Sequence, residues 1–282
     1  MSGAADVAAV EFATIESAGR PVRIEHQWHG RNDRERRDRP LMIFLHEGLG
    51  STAMWRDFPR RLCAALGMRG LVYSRPGYGR STPRARDERW PVDFMHRQAW
   101  DVLPAFLHAV GVDARAERPW LFGHSDGASI ALLYAARFAA ATAGVVVLAP
   151  HIVVEDISVL SIARARARYL ATDGRPDLRG RLARWHDDPD SAFWGWNDIW
   201  LDPQFRTWTI VPELSAIRAA VLAVQGSNDE YGTLEQIRGI ARVVPETRLV
   251  EVPECGHSPQ RDQPARVIEE TCRFVAQFAV TA

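Results

Sequence analysis

An α/β fold, a mostly parallel sheet with helices packed on both faces, is what three features of this 282-residue sequence predict. Short and nearly continuous apolar runs recur along it: LMIFLH (41–46), GLVYS (70–74), PWLFGH (119–124), AGVVVLA (143–149), AVLAVQG (220–226) and TRLVEV (247–252). Strands buried on both faces read as unbroken apolar runs, whereas half-exposed strands alternate. Helical patterns such as TAMWRDFPRRLCAALG and MHRQAWDVLPAFLHAVG stand between the runs, and QPARVIEETCRFVAQFAV closes the chain. Strand and helix in alternation give parallel pairing, because a parallel crossover needs a dozen or more residues.

In chain order, the first element is an antiparallel hairpin. FATIES and PVRIEHQW alternate apolar and polar residues on either side of AGR. The charged stretch RNDRERRDRP that follows reads as a solvated loop ending at Pro40. Strands and helices then alternate up to residue 150. The interval 150–219 far exceeds a crossover helix, and it holds the Arg-rich RARARY and the Trp-rich FWGWNDIW. Residues 151–214 are therefore read as a mainly helical insertion, with 1–150 and 215–282 as the core. Open α/β sheets bind ligands at the carboxyl ends of their strands, so the insertion is expected to cap a site there.

Composition narrows the function classes. Thirty-five Lys and Arg against thirty-five Asp and Glu give a net charge of zero, which supports neither a nucleic-acid nor an anionic-membrane partner. No apolar run approaches the ~20 residues of a membrane-spanning helix, and MSGAADVAAVEF lacks the basic start of a signal peptide. Cys63, Cys255 and Cys272 are odd in number and have no CxxC spacing, so they read as reduced thiols. The expectation is a cytoplasmic protein with a small-molecule substrate and no nucleic-acid or membrane partner; a homodimer stays open.

Residues 123–127, Gly-His-Ser-Asp-Gly, fit G-x-S-x-G between an apolar strand and the helical ASIALLYAARFAA. A sharp strand-to-helix turn crowds neighbouring backbone, which is why glycines flank the serine at two residues' distance. The turn presents the Ser125 hydroxyl at a helix N-terminus, where free N–H groups favour developing negative charge. Serine is also an ordinary helix N-cap, but a cap needs neither glycine. Because a serine hydroxyl is inert without a base, an acid and a histidine should follow in that order. Asp229 in SNDEYGT follows one strand and His257 in PECGHSPQRDQP follows the next. Glu230, Asp202 and Asp156 are the alternative acids, and His257 is one of nine histidines.

Acyl transfer also needs donors for an oxyanion. One would be the N–H of Asp126, and the other that of Gly48 or Leu49 in LHEGLGSTAMW. The same GLGSTA fits a dinucleotide fingerprint, G-x-G-x-x-A. That reading ranks lower, because the next strand ends in VYSRPGYGRS without an acid and a hairpin precedes the first strand. GYGRS itself lacks the lysine of a phosphate-binding loop.

In order and spacing, HEGLGS, SRPGYGRS, GHSDGAS, QGSNDEYGT and CGHSPQRDQP resemble the α/β-hydrolase superfamily over nearly the whole chain. The resemblance implies an eight-stranded, mostly parallel sheet with a helical cap inserted after the sixth strand. It implies a serine esterase that needs no cofactor or metal, with Ser125 as nucleophile, Asp229 as acid and His257 as base. Three positions depart from the pattern. Glu47 stands where a second glycine is usual, Ser74 where an acid is usual, and Asp126 beside the nucleophile must turn its carboxylate away or be neutralised. A serine nucleophile sets aside the dehalogenase and epoxide-hydrolase branches, which use aspartate. Thioester, lactone or carbon–carbon bond hydrolysis and perhydrolysis would use the same triad, and a ligand receptor could keep the fold while hydrolysing little.

Half of the ten tryptophans (Trp185, Trp194, Trp196, Trp200 and Trp208) fall in the insertion. Trp194, Trp196, Trp200 and His151 are candidates for lining a substrate pocket, with one or two of the tryptophans expected to do so and the rest to pack the cap. The arginines of RARARY, alternating with alanine, read as a solvated face.

Overall fold

The computed structural model describes residues 9–30, 39–171 and 177–278. The expectations for the first eight residues and for the charged stretch 31–38 lie outside the described residues. Eight strands form one sheet: β1 (Val10–Ser17), β2 (Arg20–His29), β3 (Leu41–Leu45), β4 (Arg69–Tyr73), β5 (Trp120–His124), β6 (Gly144–Leu148), β7 (Ala220–Gly226) and β8 (Thr247–Val252). Their order is β1-β2-β4-β3-β5-β6-β7-β8. The β1–β2 hairpin and the β2–β4 pair are antiparallel, and all other neighbours are parallel.

The strands β3 to β7 are buried at every residue, which explains their continuous apolar runs. The edge strands β1 and β8 are only partly covered. Alternate residues feed opposite faces of the sheet. Ile43, Leu45, Val145 and Val147 face one core cluster, and Met42, Phe44, Val146 and Leu148 face the other. From β3 the chain steps to β4 on one side and returns to β5 on the other. The strand order therefore reverses at β3, where the carboxyl ends open into a crevice.

Two predicted helices are broken, each by a proline. TAMWRDFPRRLCAALG becomes a 3-10 turn, Thr52–Trp55, and a separate helix, Phe58–Leu66, with Pro59 in its first turn. A proline is tolerated there and not in a helix interior. In MHRQAWDVLPAFLHAVG the helices Phe94–Arg97 and Leu103–Ala109 are joined by a π-helical turn, Gln98–Val102. Pro104 has no N–H for the Trp100 carbonyl and its ring crowds that oxygen, so the coil widens just before it.

Between β6 and β7 lie the helices Asp156–Leu170, Leu178–Leu182, Pro189–Trp200 and Val211–Leu214. Within this cap Tyr169 stacks on Phe193 at 3.7 Å between ring centres. On the Asp156–Leu170 helix Ala165 and Tyr169 face inward, while Arg164 and Arg168 are exposed. His186 fastens the cap to the core on two sides. Its Nε2–H donates to the Leu49 carbonyl (3.0 Å), and its Nδ1 accepts from the Gly79 N–H (2.9 Å). No helix of the described residues is long and apolar enough to cross a membrane.

Candidate active site

Every loop that reaches the site leaves the carboxyl end of a strand. Ser125 follows β5 directly, with φ 53° and ψ −121°, and caps the Asp126–Arg137 helix without a side-chain cap bond. Its N–H donates to the Leu148 carbonyl of β6 (2.9 Å). The flanking glycines are sterically required. A Cβ on Gly123 would strike the backbone of Gly127 and Ala128, and one on Gly127 would strike the carbonyl oxygens of Leu45 and His46.

The loops after β7 and β8 bring Asp229 and His257 to the serine. The carboxylate of Asp229 can only accept, so His257 Nδ1 carries the proton and donates to Asp229 Oδ1 at 2.8 Å. That leaves the Nε2 lone pair to accept from the Ser125 hydroxyl at 2.9 Å. The same Asp229 oxygen accepts from the Tyr231 N–H (2.8 Å), and Gln225 Nε2 donates to the other (3.1 Å). Burial resists the charge on Asp229, but His257 and the Tyr231 N–H outweigh it and hold the carboxyl below its usual range. Burial likewise opposes a charged His257, yet the Asp229 carboxylate raises its pKa above 6.5.

The alternative acids lie elsewhere. Glu230 accepts from the backbone N–H of His257 (3.2 Å) rather than from its ring. Asp202 caps the Pro203–Thr207 turn, and Asp156 pairs with Arg206 on the surface.

Gly48 and Asp126 offer backbone N–H groups that, among the described residues, have no hydrogen-bond partner. Buried Arg75 donates Nη2–H to the Glu47 carbonyl (2.9 Å), and the Gly50 N–H donates to the same oxygen (3.0 Å). In a planar trans peptide the N–H points opposite to the carbonyl, so these bonds fix the direction of the Gly48 N–H. The Trp196 indole lies over Gly48 where a Cβ would be, and the Glu47 carboxylate lies over Gly50. Leu49 lines the pocket with Gly48.

Each departure from the family pattern is accommodated by a contact. Asp126 turns away from the pocket, its Oδ1 accepting from Trp200 Nε1–H (3.2 Å) and its Oδ2 lying 4.0 Å from Arg75 Nη2. Burial pushes its carboxyl up to about 6 against the pull of Arg75. Burial also resists charge on Glu47, but His124 beside it holds that carboxyl down at about 2, with Nδ1 and Oε2 3.4 Å apart. Ser74 donates to Glu25 Oε2 (2.7 Å), so a β2 residue supplies the carboxylate that the resemblance places at position 74.

The pocket over Ser125, about 110 Å³, is lined by His124, His151, Ile162, Trp196, Trp200, Tyr231 and the loop residues above. Trp194 is not among them, which corrects its assignment to the substrate pocket. On the Pro189–Trp200 helix Trp196 and Trp200 are four residues apart and share a face, whereas Trp194 is turned to the opposite side. It lines a separate cleft of about 510 Å³ with Arg84, Arg86, Arg89 and Arg166, and the Arg166 guanidinium lies over its ring. Arg75, Glu25 and His186 were not anticipated as site residues. Arg75 lies within the quoted SRPGYGRS, but nothing in its residue type signals a buried arginine.

A model of the alpha/beta hydrolase family matches residues 42–270. A 2-hydroxy-6-oxo-6-phenylhexa-2,4-dienoate hydrolase of Burkholderia cepacia is 23% identical over 264 residues, covering 83% of this chain and 87% of its own. Among solved structures, proline iminopeptidase from Mycobacterium smegmatis superposes with a TM-score of 0.71 at 17% identity, over 95% of this chain and 98% of that one. A thermophilic esterase from Thermogutta terrifontis gives 0.67 at 16% identity, over 96% and 99%. At such identities the likeness to the solved structures speaks for the fold.

Proposed function

The chain belongs to the alpha/beta hydrolase family, and from that premise we propose that it is a serine hydrolase cleaving carboxylic esters of small, uncharged, partly hydrophobic molecules. The observation that carries this reading is the continuous hydrogen-bonded line Asp229–His257–Ser125, ending on a serine at positive φ. Ser125 Oγ attacks the ester carbonyl while its proton passes to His257 Nε2, and Asp229 stabilises the imidazolium that forms. The N–H groups of Gly48 and Asp126 hold the oxyanion, each worth about 2.7–4 kcal/mol to the transition state. His257 then protonates the departing alkoxide, and the cycle repeats with water as nucleophile to free the acid. The steps use no cofactor.

The pocket supports a short acyl group. The volume over Ser125 is about 110 Å³, and the rings of Trp196, Trp200 and Tyr231 with Ile162 give it apolar walls close to the nucleophile. The Burkholderia relative acts on a dienoate, which carries a carboxylate. Among the described lining residues there is a carboxylate, Glu47, and no Lys or Arg, so an uncharged ester is favoured over that carbon–carbon bond substrate.

Labelling with a fluorophosphonate, read by intact mass, tests the reading. One adduct on the wild type and none on Ser125→Ala is expected, followed by turnover of acetyl and butyryl esters faster than of octanoyl esters. A folded wild type that takes neither this probe nor a small sulfonyl fluoride would instead make the chain a binding protein on a hydrolase fold.

A further inference from the structure

Outside the line Asp229–His257–Ser125, one more imidazole reaches the nucleophile. His151 lies three residues past the end of β6, where Ala149 takes φ 46° and turns the chain into the crevice. Its Nε2 is 3.4 Å from Ser125 Oγ, on a ring that is buried and set edge-on to Trp200 at 4.8 Å. Its backbone is held at both polar groups by one side chain. The Ser129 hydroxyl donates to the His151 carbonyl (2.6 Å) and lies 3.1 Å from the His151 N–H, which donates to it. Ser129 is one turn beyond Ser125 on the same helix, so His151 is fixed in the frame of the nucleophile.

We infer that His151 is a second catalytic histidine, a hydrogen-bond donor whose Nε2–H is set on Ser125 Oγ; the inference rests on Ser125 being the nucleophile.

The proton's position on the ring follows from the partners. His257 Nε2 takes the hydroxyl proton, so the remaining lone pairs of Oγ can only accept. His151 Nδ1 is buried with no partner among the described residues. A proton there would be an orphaned N–H and would set two lone pairs face to face at Ser125, whereas a proton on Nε2 leaves only an unmatched lone pair. Burial, with His257 close by, pulls the pKa of His151 down to about 3, so the ring stays neutral while its neighbour shuttles the proton. His151 itself neither gains nor loses a proton in this role. When Oγ bonds to the carbonyl carbon its proton goes to His257, and when the acyl group leaves, the C–Oγ bond breaks and the proton returns. At both moments charge gathers on Oγ, and the Nε2–H of His151 stabilises it. A separation of 3.4 Å is long for such a bond, as is common before substrate closes a site.

The test compares wild type with His151→Phe, which removes the donor, and His151→Gln, whose amide N–H reaches a similar place. The readouts are the second-order rate of fluorophosphonate labelling at Ser125 and kcat and KM on a short-chain ester. His151→Phe is expected to lower the labelling rate and kcat about ten-fold with KM little changed, and His151→Gln to stay within about three-fold of wild type. Ser129→Ala, which keeps the ring but frees its backbone, is expected to slow both rates about three-fold. Wild-type rates in His151→Phe and Ser129→Ala would overturn the inference, as would a loss in His151→Gln as deep as in His151→Phe. A wild type that takes no label would overturn the serine-hydrolase reading first. A wild type that labels, with His151→Phe keeping pace, would overturn the role of His151 alone.

Discussion

The Ser125 backbone occupies a region that costs a non-glycine residue about 1–3 kcal/mol, and Ala149 does the same one strand away. Both sit where the chain must deliver a side chain into the crevice, and both are held by sheet partners, Ser125 by the Leu148 carbonyl and Ala149 by that of Val224. At this scale the electrostatics of His257 give a further test. The ring must be neutral to accept the Ser125 proton, and the Asp229 carboxylate raises its pKa above 6.5 despite burial. Activity is therefore expected to rise with pH through an acid limb above 6.5. Asp229→Asn removes the charge that raises this pKa, so the limb should move to lower pH while kcat falls by roughly 10⁴-fold. A pH–rate profile of kcat/KM checks this, and a limb that stays in place would separate His257 from Asp229.

Among the elements, the Pro189–Trp200 helix walls the pocket over Ser125. One face carries Trp196 and Trp200 into the pocket, and Trp200 also holds the Asp126 carboxylate away from it. Gly48 is glycine because the Trp196 ring occupies the place of its side chain. Replacing Trp196 by leucine should open the pocket above Gly48. The ratio of kcat/KM for hexanoyl over acetyl esters is expected to rise about ten-fold, the scale of one or two methylenes in a fitted pocket. An unchanged ratio would place the acyl group elsewhere. Helix periodicity in FWGWNDIW was legible enough to separate Trp194 from Trp196 and Trp200, but which side faced the sheet was not, because all three residues are equally apolar. The two prolines that break predicted helices, Pro59 and Pro104, were legible as residues. Their effect is masked in the sequence, because the apolar spacing continues across them.

For the molecule as a whole, buried neutral histidines set the response to acid. Burial lowers His151 to about 3, burial with Arg75 lowers His46 well below its usual value, and in the half-buried His29 partial burial with the nearby Arg60 lowers the ring to about 4. In the unfolded chain these rings take up protons below about 6.5 while the folded state refuses them, so stability is lost as pH falls from 6.5 towards those folded values. Asp126, raised to about 6, opposes this in part, because folding takes up its proton between about 6 and 3.8. Urea midpoints are expected to drop steeply from pH 6.5 to 4, and His151→Gln should flatten the slope by up to one proton; an equal slope would mean that His151 titrates freely when folded. The sequence by itself determined the α/β alternation and the G-x-S-x-G turn at Ser125, and it put Asp229 and His257 among the candidates at strand ends, because each is written in local patterns of burial, turn chemistry and chain order. Only the tertiary structure decided that Glu25 stands in for an acid at position 74, that Arg75 bonds the Glu47 carbonyl and so fixes the Gly48 N–H, that Trp194 faces away, and that His151 meets Ser125. Those outcomes depend on which distant segments meet across the carboxyl ends of the sheet, and no local spacing in the chain encodes such a meeting.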